Sequence, residues 1–145
     1  MNAAAQPIRS ILVATDLTAN STNAIQGAAD LAIVAGAKLH VVHAYHDATD
    51  RHLPSVRRGI QAKRLALASA LEKVEDWPVT IATSNVRFGS PAEVILAEAA
   101  AVDADLIVLG TLQTNGVTDR VVGSTAVAVL KSTSLPCLIL GDPLQ

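Results

Sequence analysis

Two short stretches of this chain carry residues of a type and spacing suited to holding an anion. Gly110 leaves the apolar run Leu106-Ile107-Val108-Leu109, and Gly123-Ser124-Thr125 leads into a segment with helical patterning. Glycine lets the backbone approach a ligand closely and adopt positive φ, so that neighbouring N–H groups converge on phosphate oxygens. A Gly-Ser pair at a helix start adds a hydroxyl and the positive end of the helix dipole. Asp16 follows a second apolar run, Ile11 to Ala14, and could bond a ribose or base or hold a metal on phosphates. Each feature also has a plain structural reading: a turn glycine, an N-cap serine, a turn aspartate. Spacing alone leaves both readings open.

The elements that must position these residues alternate along the chain. Ile11 to Ala14 reads as a buried strand, and Asn20 and Ser21 offer N-caps for a helix with Ala24, Ile25, Ala28, Leu31 and Ala32 at helical spacing. Gly36 is its natural stop. A second strand reads Lys38 to Ala44, followed by an irregular segment and a long helix over Val56 to Val74, with Ile60, Leu65, Leu67 and Leu71 as its apolar positions. Trp77-Pro78 ends that region, since proline disfavours helix in the residue before it. Val79 to Val86 reads as a third strand. Ser90-Pro91 is an N-cap and first helical position, opening a helix to Ala101. Leu106 to Leu109 is a fourth strand, a last helix runs from Gly123 to Ser132, and Cys137 to Leu140 is a fifth strand. Strand–helix alternation implies an α/β fold, with right-handed crossovers and a parallel sheet covered on both faces. In such sheets ligands sit beyond the strands' carboxyl ends where strand order reverses, which directs attention to Thr15-Asp16, Ala44-Tyr45 and Gly110 onward.

Composition narrows the function classes. The chain has 145 residues, half of them apolar but only 2% aromatic, so an aliphatic core within a single domain is expected over 1–145. Eleven basic against thirteen acidic residues argue against a broad nucleic-acid surface. No apolar run approaches the ~20 residues of a membrane span. The opening MNAAAQPIRS lacks the pattern of a secretory signal, and a soluble cytoplasmic protein is the expectation. One cysteine, Cys137, excludes an internal disulfide and a multi-cysteine zinc site.

The order of the pieces resembles the universal stress protein family over nearly the whole chain: "ILVATDLT", "LHVVHAY", "VRFGSPAEVI", "DADLIVLGT", the spaced "GS" and the terminal "LPCLIL". The resemblance implies a five-stranded parallel sheet of order 3-2-1-4-5, a stress-response or regulatory role, and a homodimer through the last strand, Leu135 to Leu140. It further implies an adenine-nucleotide site, with ATP as the usual ligand and AMP or cyclic AMP as alternatives, magnesium being left open. Some members of the family bind no nucleotide, so an interaction module of the same fold is the second expectation. Carried over position by position, Ala14, Thr15 and Asp16 help hold the nucleotide and Ala44 meets the adenine through its backbone. Gly110 and Gly123-Ser124-Thr125 take phosphates and ribose. The family signature has a second glycine where this chain has Gln113. A glutamine there costs on the order of 1 kcal/mol if positive φ is required, or its amide donates to a phosphate while Gly116 supplies flexibility.

Other candidates fare less well. His40, His43 and His46 alternate across a strand, with His43 on the opposite face, so they cannot converge on a metal; His43 reads as a packing position. Cys137 reads as a small hydrophobe. There is no Gly-x-Ser-x-Gly elbow and no Gly-Lys-Ser/Thr triplet. Nor is there a glycine-rich loop after the first strand. No general base or arginine finger is identifiable, so any ATP hydrolysis would be slow. Arg51, Arg57, Arg58, Lys63 and Arg64 form a basic cluster that reads as a solvated face, as a surface for an acidic partner, or as help with nucleotide phosphates from a mobile loop.

Overall fold

The structure is a computed structural model and describes residues 6–46, 52–74, 76–113 and 120–141. Arg51 and Gly116 lie outside the described residues. In chain order the elements are β1 (Ser10–Ala14), α1 (Ala19–Ala35), β2 (Lys38–Tyr45), α2 (Leu53–Leu71), a 3-10 turn (Glu72–Val74), β3 (Thr80–Phe88), α3 (Pro91–Ala101), β4 (Leu106–Gly110), β5 (Leu112–Gln113), β6 (Arg120–Val121), α4 (Ser124–Ser132) and β7 (Cys137–Leu140). The five long strands form one sheet in the order β3-β2-β1-β4-β7, all neighbours parallel. This is the order 3-2-1-4-5 expected from the sequence.

Strand side chains alternate between two buried faces, which is why β1 and β4 are apolar at nearly every position. Ile11, Val13, Leu39, Val41 and Val108 meet Ala24, Ala28 and Ala32 of α1 and Leu67 and Leu71 of α2. Leu12, Val42, Ile107 and Leu109 meet Val94, Ile95 and Ala99 of α3 and Ala126 and Val129 of α4. The small alanines let α1 lie close to the sheet. Gly36 closes α1 in the left-handed region, φ 66°, its N–H and that of Ala37 returning to Ile33 and Ala32 carbonyls.

Several local expectations are corrected. Helix α1 starts at Ala19 with Thr18 as N-cap, two residues ahead of the Asn20–Ser21 reading. Helix α2 starts at Leu53, because Pro54 fits a helix's first turn and does not interrupt it. Leu65 is 65% exposed, whereas Val56, Leu67 and Leu71 are buried. Position 65 lies about 200° around the helix from Leu67, on the opposite side. Strand β3 extends to Phe88. The stretch between Gly110 and Gly123 is not wholly loop, since β5 and β6 pair antiparallel there, Leu112 with Val121 and Gln113 with Arg120.

Polar groups inside this frame are paired. At the amino end of the sheet, Asp105 Oδ2 accepts the N–H groups of Arg9 (2.9 Å) and Ser10 (3.0 Å), anchoring the entry of β1. On α3, Glu98 is 1% exposed and accepts from Asn85 Nδ2 (2.8 Å) and Arg87 Nε, both on the edge strand β3. His40 on β2 is also buried, with Nδ1 2.8 Å from Thr83 Oγ1.

Burial lowers the His40 pKa from its ordinary 6.5, the nearby Glu98 carboxylate opposing and Lys38 reinforcing that shift. A folded-state pKa below the unfolded one means that the unfolded chain takes the proton first. The corresponding stability is therefore complete above about 6.5 and is lost as pH falls through the folded pKa. Urea unfolding between pH 7.5 and 5 should show this decline, and His40→Asn, which keeps a donor facing Thr83 but cannot titrate, should flatten it. Equal slopes in the two proteins would refute the assignment.

Candidate functional site

Strand order reverses at β1, whose neighbours are β2 on one side and β4 on the other. The helices following β1 and β2 lie on one face of the sheet, and those following β3 and the β5–β6 hairpin lie on the other. A crevice therefore opens beyond the carboxyl ends of β1 and β4. It is a cleft of about 240 Å³, room for a small organic molecule rather than a lone ion.

Eight of the nine residues selected from the sequence line this one cleft. Ala14, Thr15 and Asp16 come from the exit of β1, Ala44 from β2, Gly110 from β4, and Gly123, Ser124 and Thr125 from the start of α4. The ninth, Gln113, falls in β5, its main chain opposite Arg120. The sequence reading missed His43, Pro91, Ile95, Leu109, Thr111 and Ala126. Pro91 and Ile95, four apart at the start of α3, share a helix face, a spacing visible in "PAEVI".

The wall at β1 is a tightly bonded turn. Leu17 N–H donates to Thr15 Oγ1 at 3.0 Å, while Thr18 N–H and Thr18 Oγ1 donate to Asp16 Oδ1 at 2.9 and 2.5 Å. Asp16 is thus a turn aspartate, exposed at the cleft. Leu17 is held at φ 64°, a conformation that costs a non-glycine residue roughly 1–2 kcal/mol. The surrounding hydrogen bonds and the packing of Leu17 on the core hold it there.

Another wall is the start of α4. Gly123 is its N-cap in extended conformation and, being glycine, supplies no side-chain cap. The first N–H groups of a helix have no intrahelical acceptor, so those of Ser124, Thr125 and Ala126 face the cleft with partial positive charge. An acidic group at Asp16, a helix N-terminus lining the same cleft and an apolar floor of Ala14, Ala44, Ile95 and Leu109 can seat an apolar ring with an anionic appendage.

Among the described residues no group of three His, Cys, Asp or Glu side chains is placed to hold a metal ion, and His40, His43 and His46 do not converge. Burial raises the Cys137 thiol pKa, keeping it protonated in its strand. No helix among the described residues is long and apolar enough to cross a membrane.

Gly110 lines the cleft without using glycine's access to positive φ. Its φ is not positive, and a Cβ there would point to Ala24 Cβ of α1 at 3.6 Å, an ordinary contact. The fold does not demand glycine at this position. Gly110→Ala should therefore melt with its free energy of unfolding within about 0.5 kcal/mol of wild type; a loss of several kcal/mol would show a backbone constraint that the geometry does not contain.

Residues 7–141 match the sequence profile described as the universal stress protein family. A universal stress protein of Methanocaldococcus jannaschii is 36% identical over 78 residues, which make up 54% of this chain and 45% of that protein. The match thus spans less than half the length of that relative. Among solved structures, a universal stress protein in complex with cAMP superposes with a TM-score of 0.73 at 23% identity, covering 94% of this chain and 98% of that one. The universal stress protein UspA of Lactobacillus plantarum gives 0.78 at 21% identity, covering 94% and 99%.

Proposed function

This chain belongs to the universal stress protein family, and we propose that it is an adenine-nucleotide-binding regulatory member that works as a homodimer. The observation that carries the reading is the glycine-led N-terminus of α4, which lines an apolar-floored cleft together with Asp16. The adenine lies on Ala14, Ala44 and Ile95 and takes its polar contacts from the Ala44 backbone. Asp16 accepts from the ribose. Phosphates rest on the N–H groups of Ser124 and Thr125 and on the Ser124 hydroxyl, with Gln113 nearby on the β5–β6 hairpin. ATP is the first ligand of this reading, and cyclic AMP is the alternative favoured by the structural neighbour that contains it. In this reading the cleft serves to bind the nucleotide, and any hydrolysis of ATP is slow.

Calorimetric titration with ATP, AMP and cyclic AMP, with mass identification of any ligand retained on purification, tests this. Binding of at least one nucleotide is expected, while silence from all three at millimolar concentration would leave the family's non-nucleotide interaction role as the better reading. Gln113→Gly should raise ATP affinity by about tenfold, or ~1.4 kcal/mol, if the side chain obstructs the phosphates. A fall instead identifies the glutamine amide as a phosphate donor.

Support for the dimer comes from β7. All four of its residues are only half buried, because β4 covers one edge alone, and Val127 and Leu130 on α4 leave apolar surface exposed. An open apolar edge of this kind pairs readily with a copy of itself. The carbonyls of Pro136 and Leu140 accept from β4 and its exit, so the main-chain groups of Cys137 and Ile139 point outward. Ile139→Pro therefore removes an outward donor and spares the inner ladder. Sedimentation should find the wild type dimeric and this variant monomeric; a monomeric wild type at tens of micromolar would end the proposal.

A further inference from the structure

We infer that His43 is a positioning residue of the cleft: by taking the Thr15 carbonyl for its own ring, it keeps the Ala44 backbone N–H open for a ligand. This rests on the nucleotide reading above for its ligand, but the hydrogen-bond arrangement stands without it.

His43 occupies a position where the strand calls for an aliphatic side chain. It follows Leu39 and Val41 on the face of β2 turned toward α1 and α2, and it is 7% exposed. An imidazole buried there is costly unless its polar atoms are bonded. Nδ1 lies 2.8 Å from the Thr15 carbonyl oxygen. A carbonyl only accepts, so Nδ1 carries the proton and donates.

The consequence follows from parallel-sheet geometry. Thr15 N–H donates to the Val42 carbonyl at 3.0 Å. In a continued ladder the Thr15 carbonyl would then accept from Ala44 N–H, two residues further along β2. Pairing of β1 with β2 stops instead at Ala14 opposite Val42, and no Ala44-to-Thr15 bond forms among the described residues. Main-chain groups of alternate residues point to the same neighbour. Tyr45 accepts from Gly89 beyond β3, whereas Val42, and therefore Ala44, is directed toward β1. The His43 ring has replaced the next rung of the ladder. Ala44 is left with an N–H and a carbonyl facing a wall of the cleft that it lines. A donor and an acceptor on one residue, about as far apart as neighbouring rungs, match the Watson–Crick edge of a base such as adenine, where an amino group sits beside a ring nitrogen. His43 thus acts on the ligand through Thr15 and Ala44.

Three measurements test this on the whole chain. The ring nitrogens in a nitrogen-15 spectrum should show His43 as the Nδ1–H tautomer at neutral pH. Amide hydrogen exchange of Ala44 should be fast beside that of Val42 in wild type and slow in His43→Val, where the ladder closes onto Thr15. Nucleotide affinity should fall about tenfold in His43→Val, the scale of one lost hydrogen bond, while its melting temperature holds or rises. His43→Asn, whose amide nitrogen stands where Nδ1 does, should keep both the open Ala44 amide and the affinity. A packing role would lower stability and affinity together and would not separate valine from asparagine. The inference is overturned by an Nε2–H tautomer, or by an Ala44 amide equally exposed in wild type and His43→Val. If wild type binds no nucleotide, the proposed function fails while the tautomer and exchange readings still decide the role of His43. Should His43→Val not fold, the tautomer and the asparagine variant decide it.

Discussion

Everything in this molecule depends on β1 being buried on both faces and both edges. Ile11, Leu12 and Val13 are wholly excluded from solvent, with β2 and β4 bonded on either side and helices above and below. Burying one such aliphatic side chain is worth roughly 1.5–3 kcal/mol, so the three anchor the centre of both cores. Because strand order reverses at β1, the connections on its two sides leave to opposite faces of the sheet. The crevice at its carboxyl end is a product of that topology and would exist whatever residues lined it.

The residues that line it turn a crevice into a site. At the amino end of the sheet, Asp105 bonds the entry of β1 and closes the structure. At the carboxyl end the polar groups do the reverse. Thr15, Asp16 and Thr18 satisfy one another within a single turn, His43 takes the Thr15 carbonyl, and the glycine N-cap of α4 supplies no side-chain cap. Donors of the α4 first turn and of Ala44 are thereby left facing the cleft. Leu17 carries the backbone strain of this arrangement at φ 64°, supported by bonds on either side of it.

Much of this was legible in the chain because its local signals agree with its topology. The aliphatic runs of β1 and β4 could only be doubly buried strands, Gly36 marked a helix end, and Ser90-Pro91 marked a helix start. Legibility ended where a local signal had more than one use. Leu65 carries an apolar side chain at a spacing compatible with a helix face, yet α2 covers the sheet with a narrow stripe through Val56, Leu67 and Leu71, and Leu65 lies on the far side. Gln113 read as a loop residue, while main-chain pairing with Arg120 draws it into a short ladder. Glu98 gave no sign of burial, since the partners that make it tolerable, Asn85 and Arg87, come from a different element.

The sequence by itself determined the succession of elements, the aliphatic double core and the strand ends at which ligand-facing residues collect. These follow from periodicity and from glycine and proline chemistry, which act over a few neighbouring residues. Only the tertiary structure decided which polar groups remain open there. That depends on where the β1–β2 ladder stops, on a histidine ring reaching a carbonyl 28 residues away in the chain, and on the glycine-led start of α4 lying at the cleft. A polar group is engaged by whichever partner arrives in space, and no pattern along one strand records that arrival.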